Sequence, residues 1–193
     1  SGIQAGVGRG DNLLGLKSVG DGSSEGTSQF DPVLTEILLQ GFAPRPDREN
    51  RPVGSSVDVI VLDPFAGGPV RGAVAASLGF RYFGIDISAE QVACNEASAN
   101  EFCKGCRHAP TWVHGSAAHA DQLFRAHFGP EAFADVILTC PPYWNLEVYS
   151  QLPGDLSNVP TYNEFIDRFD ICMHAAVRVL RDRHCVITVV GNV

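Results

Sequence analysis

The feature that most constrains the fold is an apolar, β-branched run at residues 57–62, which leads into a glycine turn at residues 63–68. The run predicts a buried β-strand, and the alanine-rich segment at residues 73–78 predicts a helix. The glycines allow the backbone to approach a ligand that a Cβ atom would exclude. Strand, turn and helix indicate the first unit of a doubly wound α/β sheet, whose ligands bind beyond the carboxyl ends of the strands.

Four more apolar runs alternate with helical patterns along the chain. We expect further strands at residues 81–86, 111–114 and 134–139, and a buried one at 185–190. Helices are expected at residues 89–101, 120–128 and 162–180. Another follows Asp31, an N-cap with Pro32 at the first helical position, and ends at Gly41. The alternation predicts an α/β fold with a parallel sheet and helices on both faces.

Composition narrows the class of protein. A chain of 193 residues with 45% apolar content suits one folded domain, predicted at residues 30–193 after a flexible Gly- and Ser-rich segment at 1–29. No apolar run approaches the roughly 18 residues that span a bilayer, and we see no signal peptide. Six scattered cysteines indicate free thiols in a reducing compartment. We expect a cytoplasmic protein, or a nuclear one in a eukaryote.

One cysteine pair raises the question of a metal. Cys103 and Cys106 form a single C-x-x-C, with Cys94 and His108 nearby. This spacing matches no common zinc module, and no second C-x-x-C occurs. We favour a loop with buried thiols and predict no metal.

Asp86 is predicted to end the second strand, about 20 residues beyond the glycine turn, where dinucleotide folds place a ribose-binding acid. An acid at a strand end is also a common helix cap. Its pairing with the glycine turn favours the ribose.

A second polar motif follows the predicted fourth strand and runs from Cys140 through Pro141, Pro142 and Tyr143 to Trp144. Consecutive prolines remove two N–H donors and leave rigid carbonyl acceptors. The aromatic residues after them can stack on a planar group. This combination suits a ring that carries an exocyclic amino group.

Together these motifs resemble a known family. Asp-Pro-Phe-Ala-Gly-Gly at residues 63–68, the acid of Gly-Ile-Asp-Ile at 84–87 and Cys-Pro-Pro-Tyr-Trp at 140–144 look like motifs I, II and IV of S-adenosylmethionine-dependent DNA amino-methyltransferases. These enzymes make N6-methyladenine or N4-methylcytosine. The likeness extends to phage and prophage DNA methylase-like proteins and covers residues 28–193.

The resemblance implies a Rossmann-like class I methyltransferase fold, S-adenosylmethionine as the cofactor and DNA as the partner. It also implies direct in-line transfer to a flipped-out base, on which Tyr143 stacks while the Pro141 carbonyl holds the amino group. The implied catalytic residues are Cys140, Pro141, Pro142 and Tyr143. The implied cofactor-binding residues are Phe30, Asp63, Pro64, Phe65, Ala66, Gly67, Asp86, Ile87, Ser116 and Thr139.

Three departures from the family pattern keep alternatives open. Cys140 stands where the family usually has Asp, Asn or Ser, and Ser116 stands in a region where it often has an acid. A net charge of −8 is unfavourable for phosphate contacts. The alternatives are an amino-methyltransferase acting on RNA or a protein amide, and a non-catalytic methyltransferase-like subunit.

The chain stops directly after the fifth predicted strand. The family fold has a further hairpin, so we expect either a C-terminally incomplete domain or a partner or oligomer that completes the sheet.

Overall fold

The computed structural model describes residues 30–44, 58–146 and 148–191. The predicted flexible segment 1–29 lies outside the described residues. The strands are β1 (Ile60–Asp63), β2 (Arg81–Asp86), β3 (Thr111–His114), β4 (Ala134–Thr139) and β5 (Leu180–Thr188). The helices are α1 (Pro32–Phe42), α2 (Val70–Ser77), α3 (Ala89–Phe102), α4 (Ala120–Phe128) and α5 (Tyr162–Val177). None of the described helices is long and apolar enough to cross a membrane.

The strands form one parallel sheet in the order β3-β2-β1-β4-β5, which confirms the predicted α/β architecture. The chain builds outward from β1 to β3, then crosses over to add β4 and β5 on the other side. The strand order therefore reverses between β1 and β4. Open α/β sheets bind ligands in the crevice at this point, beyond the carboxyl ends of the strands.

Successive residues of a strand point to opposite faces of the sheet, and each face packs on its own core cluster. In β1, Val61 packs with the cluster that contains Leu39 of α1 and Ala75 of α2. The next residue, Leu62, packs with a second cluster, which contains Phe124 of α4 and Ala175 of α5. Helices thus cover both faces, as the alternating pattern predicts.

Two local expectations were wrong. Helix α1 continues through Gly41 to Phe42, and Ala43 is its extended C-cap because the following Pro44 disfavours a helical residue before it. Strand β5 lies at the edge of the sheet rather than in its centre, so part of it is exposed.

Gly72, in the first turn of α2, is required by packing. A Cβ atom there would lie 2.5 Å from Cζ2 of Trp112 and 3.0 Å from the ring of Tyr82, both in the core. We expect Gly72→Ala to destabilise the fold by about 1–3 kcal/mol, since overpacking exceeds the helix-propensity gain of about 1 kcal/mol.

Urea unfolding of the matched helical variant Gly41→Ala provides the control. A Cβ atom at Gly41 meets nothing within 4 Å, so this variant should gain rather than lose stability. Equal stability changes in the two variants would contradict the packing argument.

Candidate active site

Three predicted site residues end neighbouring strands. Asp63 ends β1, Asp86 ends β2 and Thr139 ends β4. Since these strands are parallel and adjacent, the three residues lie along one edge of the sheet. The loops that follow β1 and β4 flank the crevice where the strand order reverses.

The carboxylate of Asp63 is fully buried and hydrogen-bonded within the chain. Its Oδ2 accepts from Nε of Arg71 at 2.6 Å and from the hydroxyl of Tyr82 at 2.8 Å. Its Oδ1 accepts from Oγ1 of Thr139 at 2.8 Å and from the backbone N–H of Phe65 at 3.2 Å. The sequence predicts Asp63 and Thr139 as cofactor-binding residues, and in the structure their side chains hydrogen-bond to each other. Both have no exposed surface, and they support the turn from beneath.

Arg71 is a residue of this site to which the sequence motifs assigned no role. Its Nη2 donates to the backbone carbonyls of Phe65 at 2.7 Å and Ala66 at 2.9 Å, and its guanidinium carbon lies 4.6 Å from the centre of the Phe30 ring. Burial alone would lower the pKa of Arg71, but Asp63 raises it above its ordinary value, so the guanidinium stays charged. A single basic residue in an otherwise small and apolar helix was the available signal.

Gly67 is held at both its backbone groups. Its N–H donates to Oδ2 of Asp86 at 2.8 Å, and its carbonyl accepts from Nδ2 of the buried Asn95 at 2.7 Å. Its φ of +50° lies in the left-handed region that favours glycine. A Cβ atom at Gly67 or Gly68 would meet nothing within 4 Å, so the turn borders open space. Asn95, like Arg71, was not predicted as a site residue.

Asp86 has a perturbed acidity. Burial raises the pKa of its carboxyl to about 6, against the opposing effect of N–H donors from Ser88 and Gly67. Ser88 donates to Oδ1 at 2.8 Å. Each carboxylate oxygen offers more than one acceptor position, so both can still accept from a ligand hydroxyl.

Ile87 lies against the loop that joins β4 to α5. A Cβ atom at Gly154 would be 3.4 Å from Cδ1 of Ile87. The adjacent Asp155 is buried and organises this loop, accepting at Oδ1 from the N–H and Oγ of Ser157 and at Oδ2 from Oγ of Ser150. The loop therefore forms one side of the site beside Asp86 and Ile87.

Ser116 follows β3 and caps a short 3-10 helix, Ala117–His119, where its Oγ accepts from the N–H of Ala118 at 3.3 Å. Ala117 packs with Leu156 of the β4–α5 loop. The region around Ser116 therefore lies against that loop.

The loop after β4 carries the predicted catalytic residues. Sγ of Cys140 and the hydroxyl of Tyr143 lie 3.1 Å apart and share a hydrogen bond. Burial, together with this bond, raises the pKa of Tyr143 to about 12, so the phenol stays neutral. Its ring lies beside Gly191, after β5. Pro141 is buried, whereas Pro142 and Tyr143 are partly exposed.

The side chain of Trp144 is partly buried and bonded within the chain. Its Nε1 donates to the carbonyl of Val159 at 3.1 Å, and its φ of +48° is unusual for a bulky residue. A row of neighbouring aromatic rings, 5.6–6.1 Å apart, connects it to the glycine turn: Trp144, Tyr162, Phe165, Phe169 and Phe65. The two loops that flank the crevice are thus packed on the same helix, α5.

The cysteines form no recognisable metal centre. Within residues 30–44, 58–146 and 148–191, no group of three or more His, Cys, Asp or Glu side chains could hold a metal ion. Cys103 and Cys106 are free thiols in a tight turn at the end of α3, where the N–H of Cys106 donates to the carbonyl of Cys103 at 3.0 Å.

No protein-family model and no curated protein sequence matches the chain, but solved structures share its fold. NSun6 from Pyrococcus horikoshii, solved with SFG, aligns with a TM-score of 0.53 and 19% identity over 81% of this chain and 35% of its own. An rRNA methylase from Streptococcus thermophilus aligns with a TM-score of 0.51 and 10% identity over 84% and 71%.

A SAM-dependent methyltransferase from Agrobacterium tumefaciens aligns with a TM-score of 0.50 and 17% identity over 69% of this chain and 39% of its own. The chain therefore spans well under half of the length of two of these neighbours, 35% and 39%. At such identities the likeness concerns the fold, and it confirms a Rossmann-like sheet of the kind that these methyltransferases have.

Proposed function

We propose that the chain is the catalytic domain of an S-adenosylmethionine-dependent methyltransferase, acting on an exocyclic amino nitrogen of a DNA base: N6 of adenine or N4 of cytosine. One observation carries this proposal. The glycine turn, held by Asp86, and the Cys140–Tyr143 loop flank the same crevice, beyond the ends of β1 and β4. One loop suits a nucleoside cofactor and the other suits a planar amino group.

The residues of the turn fit S-adenosylmethionine. Open space beside Gly67 and Gly68 leaves room for the methionine portion against the backbone. The remaining acceptor positions of Asp86 would take the two ribose hydroxyls, and Ile87 would provide an apolar surface for the adenine. Three of the solved structures with this fold are described as methyltransferases, methylases or a SFG complex, which supports the same cofactor.

When bound, S-adenosylmethionine would supply a methyl group from its sulfonium sulfur, and the sulfur would keep the electron pair of the broken C–S bond. The amino nitrogen forms the new C–N bond and releases a proton to solvent. The protein's task is orientation: the Pro141 carbonyl would hold one amino hydrogen and Tyr143 would stack on the base. Proximity and alignment supply the rate enhancement without a strong base. A duplex base would first have to leave the stack.

The choice of DNA rests on the motif resemblance. Cys140 differs from the usual polar acceptor of that family, and a thiol accepts hydrogen bonds weakly. Its observed contact with Tyr143 gives it another task, holding the phenol that would face the base.

Transfer of labelled methyl from S-adenosylmethionine tests the proposal. Unmethylated genomic DNA, total RNA and denatured protein are incubated in parallel, digested and separated by mass spectrometry. We expect N6-methyladenine or N4-methylcytosine in DNA, dependent on Tyr143. Label found only in RNA or protein would contradict the proposed DNA target, but it would still support S-adenosylmethionine as the cofactor.

An RNA base is the second candidate. One of the solved structures with this fold is described as an rRNA methylase, which favours this candidate. A non-catalytic subunit is the third, because Cys140 and Ser116 depart from the family pattern. Calorimetry separates it from the enzymes: no binding at millimolar S-adenosylmethionine would favour a non-catalytic role.

A further inference from the structure

Arg71 connects three parts of the site. Through Asp63 it is linked to Thr139, the residue before the Cys140–Tyr143 loop. Through its own Nη2 it holds the carbonyls of Phe65 and Ala66 in the glycine turn. With Phe30 stacked on the guanidinium, the start of α1 joins the same cluster.

The geometry requires the fork of a guanidinium. Nε reaches the carboxylate below the turn while Nη2 reaches two carbonyls within the turn, at 2.6 to 2.9 Å. A lysine ammonium is a single point of donation on a flexible stem, and it cannot reproduce this set of bonds. The guanidinium and Asp63 are both nearly inaccessible to solvent, so water cannot readily replace the lost donors.

We propose that Arg71 is a positioning residue that sets the conformation of the glycine turn and couples it to the loop after β4. This deepens the proposed function, because it assigns to Arg71 the alignment of a cofactor with the acceptor loop. Arg71 does not itself contact the reacting atoms.

The test is Arg71→Lys in the full chain without cofactor, followed by amide hydrogen exchange. The reporters are the N–H of Ala66, which donates to the carbonyl of Ile85, and the N–H of Gly67, which donates to Asp86. The reference amides belong to the centres of β1 and β4.

Arg181→Lys is the matched control. Arg181 makes a comparable bond, from its Nε to Oδ1 of the buried Asp135 at 3.0 Å. Asp135 lies near the start of β4, at the opposite end of the strands from the glycine turn. It tests what the loss of any arginine–carboxylate pair does to exchange in the turn.

We expect exchange at Ala66 and Gly67 to rise at least about tenfold in Arg71→Lys, with the strand amides and Arg181→Lys within about twofold of wild type. A rise that includes the strands equally would mean global destabilisation and overturn the positioning role. Unchanged turn amides in a folded variant would overturn it as well.

Cofactor binding separates this proposal from the proposed function. Arg71→Lys should weaken S-adenosylmethionine binding about tenfold if both are correct. If the wild type does not bind S-adenosylmethionine while the turn amides still respond, the proposed function fails and the role of Arg71 in the turn stands. If Arg71→Lys binds S-adenosylmethionine with the affinity of the wild type, the proposed role of Arg71 in aligning the cofactor is overturned.

Discussion

Replacing Asp86 by alanine is expected to weaken S-adenosylmethionine binding about a hundredfold. Two charge-assisted hydrogen bonds to the ribose would be lost, each worth about 1.5–3 kcal/mol, of which part is recovered by water. The N–H of Gly67 would also lose its acceptor. Isothermal titration at pH 8, where the carboxyl is ionised in the wild type, measures the effect.

The same residue predicts a pH dependence. The pKa of Asp86 in the folded protein is about 6, so the ionised acceptor is lost as pH falls through 6. We expect affinity to fall about tenfold per pH unit below 6. In Asp86→Asn this slope should be absent. A slope that persists in Asp86→Asn would assign the titration to another group.

Stability should respond in the opposite sense. Because the folded pKa of Asp86 lies above its ordinary value of 3.8, the folded state binds the proton more tightly than the unfolded state does. The contribution of this group therefore becomes more favourable as pH falls from above 6 towards 4. Ionisation of Asp86 is therefore expected to make the folded state less favourable at neutral pH than at pH 4, in keeping with a ligand-binding role.

Tyr143→Ala is expected to reduce methyl transfer at least about a thousandfold while the affinity for S-adenosylmethionine stays within about threefold. The ring would no longer stack on the acceptor base, whereas Asp86 and the glycine turn are on other strand ends. Single-turnover transfer of labelled methyl, beside calorimetry of cofactor binding, measures the two quantities separately.

Tyr143→Phe is the matched control for that variant. It keeps the ring and removes only the hydroxyl that contacts Cys140, so transfer should fall much less than in the alanine variant. Full activity of Tyr143→Ala would show that this loop does not hold the acceptor. A loss in Tyr143→Phe as large as in Tyr143→Ala would shift the essential role from the ring to the hydroxyl.

The strand positions were largely predictable from the sequence. The bounds of β2, β3 and β4 coincide with the predicted runs at residues 81–86, 111–114 and 134–139. Strands β2 and β4 are buried along most of their length, so each contains a mainly apolar segment. The bounds of β5 were less predictable, because it begins at Leu180 and passes through the charged residues Asp182 and Arg183 at the sheet edge. Asp182 and Arg183 are exposed, so no continuous apolar run marks the start of this strand.

By itself, the sequence determined that an α/β sheet forms and that Asp63, Asp86 and Thr139 stand at strand ends. Only the tertiary structure decided which of these side chains are buried and bonded within the chain. Asp63 is buried beneath the turn, where its carboxylate accepts hydrogen bonds from Tyr82, 19 residues away, and from Thr139, 76 residues away. A buried carboxylate needs such partners, and its sequence neighbours do not reveal them. Asp86 keeps further acceptor positions and has a raised pKa, and it is the acid that we propose binds the ribose.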